Sequence, residues 1–147
     1  MFDEIIKSCS FLLREYPEAE YCREYLNSRI SEKSQSEYEF GYFPPIANIK
    51  SLTSIIGEDE LKNNKLMFSK TIEDSLFPRI AYFSYFEDHP LIMPFKDQYG
   101  KIVAIIGRSL LSEEERKEKG ISKYKNTIFT KSNYLFGLYQ NKKHILE

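Results

Sequence analysis

Leu91-Ile92-Met93-Pro94-Phe95-Lys96-Asp97-Gln98-Tyr99-Gly100-Lys101-Ile102-Val103-Ala104-Ile105-Ile106-Gly107-Arg108 is the stretch that decides the fold. Leu91 to Phe95 reads as a strand. Asp97-Gln98-Tyr99-Gly100 is a turn, with glycine available for a positive φ. Lys101 to Arg108 is a near-continuous apolar run, the pattern of a strand buried on both faces. Two such runs around a short polar turn predict an antiparallel hairpin. Arg108 follows the apolar run and Gly107, so it emerges at the end of a buried strand. Its guanidinium keeps its charge at any working pH and can hold a phosphate bidentately. A salt bridge to the Glu113 to Glu118 run is the competing use.

Downstream, Ser112-Glu113-Glu114-Glu115 opens a charged excursion with the Ser-x-x-Glu spacing of a capping box. Lys123-Tyr124-Lys125-Asn126-Thr127-Ile128-Phe129-Thr130-Lys131-Ser132 then carries cations and rings with no acidic residue. If the segment is extended, Lys123 and Lys125 project to one face, and Tyr124 and Asn126 to the other. Lysines supply positive charge for phosphates, and rings offer faces on which bases stack. A sheet edge bearing solvated lysines fits the same pattern. Tyr134 to Ile145 returns to helical spacing.

Upstream, Asp3 to Arg14 places Ile5, Ile6, Cys9, Leu12 and Leu13 on one helical face. Tyr16-Pro17 breaks that helix, and Pro17 starts a second one running to about Arg29. Ser31 is expected to cap a short third helix through Glu37. Phe40-Gly41-Tyr42-Phe43-Pro44-Pro45 is a turn opened by a short strand. Asn48 is expected to cap a helix from Ile49 to Ile56, stopped by Gly57, with one more helical turn over Glu58 to Asn63. Leu66-Met67-Phe68 is a short strand or loop, and β texture runs from Phe77 to Leu111. The fold class is α+β: N-terminal helices, then a small, mainly antiparallel sheet, then a closing C-terminal helix.

The chain has 147 residues and 41% apolar composition, enough for one core. Its net charge of −1 hides an asymmetry. Met1 to Glu60 holds 12 acidic against 6 basic residues, whereas Lys119 to Leu146 holds 6 lysines and no acid. Cys9 and Cys22 lie on apolar helix faces, far in sequence from His89 and His144, which argues against a zinc site and fits a reducing cytoplasm. No apolar run approaches the length of a membrane span, about 18 residues. Glu87-Asp88-His89 is a polar knot that reads as a packed loop ahead of a metal site. No esterase, Walker or dinucleotide motif is present.

The ordered segments resemble the N-terminal half of the RNA-polymerase core of bacterial and phage DNA primases, which that family places before a TOPRIM metal-binding domain. The resemblance rests on Tyr25-Leu26-Asn27-Ser28-Arg29-Ile30-Ser31, Phe40 to Pro45, Ile92 to Arg108, Lys123 to Thr127 and Phe129 to Leu138. It covers about Tyr25 to Tyr139. The implied domain layout is 1–24 as a helical N-terminal extension or linker and 25–147 as the primase core N-terminal domain, without TOPRIM. Implied nucleic-acid and nucleotide-binding residues are Arg108, Lys123, Tyr124, Asn126 and Lys131. Pro90 stands where the family usually has an arginine, so Arg79 or Lys96 would have to substitute. Ile106-Gly107 replaces a glycine pair, and a Pro-Glu pair is missing after the Asn126 motif.

Such departures imply a divergent phage or mobile-element primase, or one without activity. The implied reaction of the intact protein is RNA primer synthesis, in which a 3′-hydroxyl attacks a nucleotide α-phosphate with magnesium assistance. No D-x-D carboxylate set is present, so the chain is expected to be a piece of a longer protein, inactive alone. No cofactor is expected in it, and magnesium is implied only for the intact protein. Implied partners are single-stranded DNA template, NTPs, the TOPRIM domain and a replicative helicase, in the cytoplasm and away from membranes. The alternative is a non-catalytic module with the same fold that binds a replisome protein or single-stranded nucleic acid.

Overall fold

The structure is a computed structural model describing residues 2–31, 38–73 and 76–127. The third helix expected up to Glu37, the closing helix over Tyr134 to Ile145, and Lys131 lie outside the described residues.

Helix α1 spans Asp3–Glu15 and buries Ile5, Ile6, Cys9, Leu12 and Leu13, the apolar face read from their spacing. It ends where Tyr16 turns extended ahead of Pro17, which starts a 3-10 turn, Pro17–Ala19. Helix α2, Glu20–Arg29, follows and buries Cys22 and Leu26. The Arg23 guanidinium donates to the carbonyls of Leu13 (2.7 Å) and Tyr16 (2.8 Å), satisfying acceptors that the end of α1 leaves free. Burial pushes the Cys22 thiol up to about 12, and raises that of Cys9 as well; both are core residues, not nucleophiles.

The chain continues through β1 (Gly41–Tyr42), a 3-10 turn (Ile46–Asn48), α3 (Lys50–Ile56), α4 (Glu58–Asn63), β2 (Met67–Ile72), β3 (Arg79–Ser84), β4 (Leu91–Lys96), β5 (Ile102–Arg108), α5 (Glu113–Lys119) and β6 (Tyr124–Asn126). One expectation is corrected. Asn48 does not cap α3, which has Ile49 at its N-cap and no side-chain cap. The chain enters α3 through the 3-10 turn, whose backbone bonds Asn48 N–H to Pro45 O and Ile49 N–H to Ile46 O already satisfy the entry. The Asn48 side chain bonds Tyr42 instead. Gly57 does stop α3, at φ 81°. The Ser112 capping box forms: Glu115 N–H donates to Ser112 Oγ at 3.2 Å, and Ser112 N–H to the Glu115 carboxylate at 3.4 Å.

The main sheet has the order β1-β4-β5-β6, antiparallel throughout. The hairpin read from the sequence is its centre, with Gly100 at φ 84° in the turn. β1 pairs with Leu91 and Ile92, so among the described residues Pro94 has no strand partner on that side and its missing N–H costs no ladder bond there. β5 is buried on both faces, as its apolar run required. Ile105 joins the large cluster with α1 and α2, and Ala104 and Ile106 pack with Phe95 in a second one. Ile5, Cys9 and Leu12 belong to the same large cluster as Phe43, Phe86 and Ile92, so α1 packs on the sheet that carries the hairpin. β2 and β3 form a separate two-stranded ribbon, joined to the body at its base, where Tyr85 N–H donates to Leu66 O. Among the described residues no helix is long and apolar enough to cross a membrane.

Candidate nucleic-acid interface

β6 decides whether the sequence-predicted residues meet. It is extended and pairs with the end of β5 in the register Arg108↔Tyr124, Gly107↔Lys125 and Ile106↔Asn126. Residues 16 to 20 positions apart therefore become cross-strand neighbours at one sheet edge. Arg108, Lys123, Tyr124 and Asn126 are brought together; Lys131 is outside the described residues.

Arg108 does not take up the competing use. It makes no ion pair with the Glu113 to Glu118 run; its guanidinium lies between two rings, 5.4 Å from the centroid of Tyr124 and 5.7 Å from that of Tyr25, and donates to the Ser109 carbonyl. Arg29 lies over the other tyrosine as well, 4.9 Å from the Tyr25 centroid. Two guanidiniums thus share one ring. Lys123 lies 5.6 Å from the Tyr124 ring and Lys125 4.1 Å from the Tyr85 ring. Among the described residues none of Arg29, Arg108, Lys123 and Lys125 forms an ion pair; the pairs present join Lys7, Lys62, Lys96 and Lys117 to acids elsewhere. A cation over an exposed ring gains only about 0.5–1 kcal/mol. That is too little to neutralise the group, so the cluster keeps its positive field for an anion.

Tyr25, Arg29, Tyr85 and Lys125 were not among the sequence-predicted site residues. The signal for the first two was present: an aromatic and an arginine four residues apart share one face of a helix. Nothing local in the sequence pointed to Tyr85. Its hydroxyl donates to the Asn126 carbonyl, which ties the loop after β3 to β6. Asn126 Oδ1 has no hydrogen-bond partner among the described residues.

The polar knot reads as the packed loop. The Glu87 carboxylate accepts from Ile46 N–H at 3.1 Å, and buried His89 donates from Nε2 to the Ser122 carbonyl at 2.8 Å, anchoring the approach to β6. Among the described residues no group of three His, Cys, Asp or Glu is placed to hold a metal ion.

Burial pushes the His89 imidazole below its ordinary value; Lys125 and Arg108 add to this, while the Ser122 carbonyl and Asp88 oppose it. A depressed histidine is neutral in the native state, so the unfolded chain binds the extra proton. Its contribution to stability is fully present above the unfolded value, about 6.5, and is lost as pH falls below it. Urea unfolding between about pH 7.5 and 5.5 should show this loss, and His89→Gln should flatten the dependence. An unchanged slope in the variant would refute the assignment.

Comparison with known proteins identifies the family and the fold. The family model for the DNA primase catalytic core, N-terminal domain, matches residues 11–142. The DNA primase of Aquifex aeolicus is 27% identical over 146 residues, 95% of this chain and 26% of that protein. The DNA primase of Pseudomonas putida is 26% identical over 133 residues, 90% of this chain and 19% of that protein. This chain thus spans about a quarter or less of the length of those relatives. Among solved structures, the E. coli primase catalytic core superimposes with a TM-score of 0.66 at 21% identity, covering 98% of this chain and 44% of that one. A DnaG primase catalytic domain solved bound to single-stranded DNA gives 0.67 at 21% identity, covering 97% and 43%. The shared fold and the family match over most of its residues lead to one conclusion: this chain belongs to the family of DNA primase catalytic core N-terminal domains.

Proposed function

We propose that the β5–β6 edge with α2 is the wall on which a primase holds its single-stranded template and incoming nucleotides. The observation that carries this reading is the Arg108 guanidinium held between Tyr25 and Tyr124, beside Lys123 and Lys125, with no carboxylate paired to any of these cations among the described residues. The solved relative with single-stranded DNA bound supports it by analogy of fold. Cations would take phosphate oxygens and the tyrosine rings would stack on bases or sugars, with Asn126 on the same strand as Tyr124. In this reading primer synthesis needs a second, metal-holding module such as TOPRIM, supplied by the rest of a longer primase of phage or mobile-element type, with a replicative helicase as a further partner.

Titration of labelled oligo-dT by fluorescence anisotropy at two salt concentrations tests the wall. The chain alone should bind weakly, with affinity falling steeply as salt rises. Arg108→Ala should weaken binding about tenfold, and Lys123→Ala should reduce the salt slope by about 0.7, the value of one lost phosphate contact. Binding unchanged in both variants would defeat the proposal.

A further inference from the structure

The β2–β3 ribbon carries a second aromatic and cationic face. Its register pairs Phe68↔Phe83, Lys70↔Ala81 and Ile72↔Arg79, and strand alternation puts all of these on one side. The opposite side faces the body at its base, where Met67 and Ser84 are buried and Ser84 Oγ donates to the Pro44 carbonyl. Phe68 and Phe83 stack with ring centroids 5.4 Å apart, yet remain 49% and 39% exposed. Lys70 and Arg79 are also exposed and form no ion pair among the described residues. A cross-strand ring pair by itself is an ordinary way to hold a two-stranded ribbon together. It does not account for the two cations, unpaired among the described residues, that continue the same face.

Nor does it account for where that face leads. Two residues beyond Phe83 comes Tyr85, whose ring carries Lys125 at 4.1 Å and whose hydroxyl bonds β6. Tyr85, of the same strand parity as Phe83, thus links the end of the ribbon to the β5–β6 edge. From this continuity we infer that the β2–β3 ribbon extends the single-strand path, with Phe68 and Phe83 as a base-stacking platform and Lys70 and Arg79 as phosphate contacts. The inference rests on the β5–β6 edge holding single-stranded nucleic acid. The ligand class is a sequence-tolerant single strand, because every base has a face to stack and the ribbon offers no fixed hydrogen-bond code.

The test compares oligo-dT of about 4 and about 16 nucleotides, the range of site sizes for grooves of this chemistry. The Phe68→Ala/Phe83→Ala double variant should weaken binding of the longer probe about tenfold and leave the shorter one within about twofold. Because loss of the ring pair could loosen the ribbon, Lys70→Ala/Arg79→Ala is the second variant. It should lower the salt slope for the longer probe by about 1.4, the value of two phosphate contacts. Longer-probe binding and slope like those of the unaltered chain in either variant, or equal losses on both probes, would overturn the inference; the first result would point to a protein partner for the ribbon. Arg108→Ala run alongside separates the two readings. If it weakens both probes while the ribbon variants do nothing, the edge stands and the ribbon extension falls.

Discussion

Phe86→Ala is expected to lower the free energy of unfolding by about 3–5 kcal/mol. Phe86 is fully buried, edge-on to Phe43 at 5.5 Å and to Tyr85 at 4.9 Å. Its ring fills the space beneath Gly107 so closely that a Cβ built there would sit 2.5 Å from Phe86 Cδ1. Truncation would remove the ring contacts and leave a void under the strand end that carries Arg108. The surroundings cannot close in easily, since Phe43 and β5 are held by the sheet and the helical layer. Urea unfolding followed by far-ultraviolet circular dichroism measures the change. A loss below about 1 kcal/mol would mean that the site collapses freely and that this packing is not rigid. Gly107→Ala should be destabilising by the same contact, and less so in a Phe86→Leu background, because the two positions share one space.

The second large effect is expected at Gly41, where alanine should destabilise by about 1–3 kcal/mol. A Cβ at this position would lie 2.8 Å from Cys9 Cβ, 3.0 Å from the Cys9 carbonyl carbon and 3.1 Å from Ser10 N. Those are mostly backbone atoms of α1, so no side-chain rotation relieves the overlap. Instead α1 and β1 must separate, straining the bond from Ser10 Oγ to the Phe40 carbonyl (2.9 Å) and opening the cluster around Ile5 and Leu12. The discriminating variant is Cys9→Ala, which removes only the sulfur. It should fail to rescue Gly41→Ala in a denaturant titration. Recovery of stability in that double variant would place the strain at the thiol and refute the backbone account.

How much of this was legible beforehand follows the range of the interactions. The β4–β5 hairpin was readable because two apolar runs and a Gly-containing turn between them are local properties. The same holds for α1, for the Gly57 stop and for the Ser112 capping box. Asn48 misled because a good capping residue is only a local option, and the 3-10 turn after Pro45 left its side chain to Tyr42. The ribbon was harder. Met67 to Ile72 carries three consecutive polar residues, Ser69, Lys70 and Thr71, and gains its strand identity from β3, with partners from 7 residues away (Ile72↔Arg79) to 17 (Met67↔Ser84).

Residue order alone determined the α+β class, the hairpin, the charge asymmetry and the family resemblance, because each depends on composition, period or motif spacing. Only the tertiary structure decided that the guanidinium at the end of β5 lies between rings from α2 and β6, and that Tyr85 joins them. Those contacts depend on which strand edges pair and in what register, a choice made by burial of the whole core and not by any one segment.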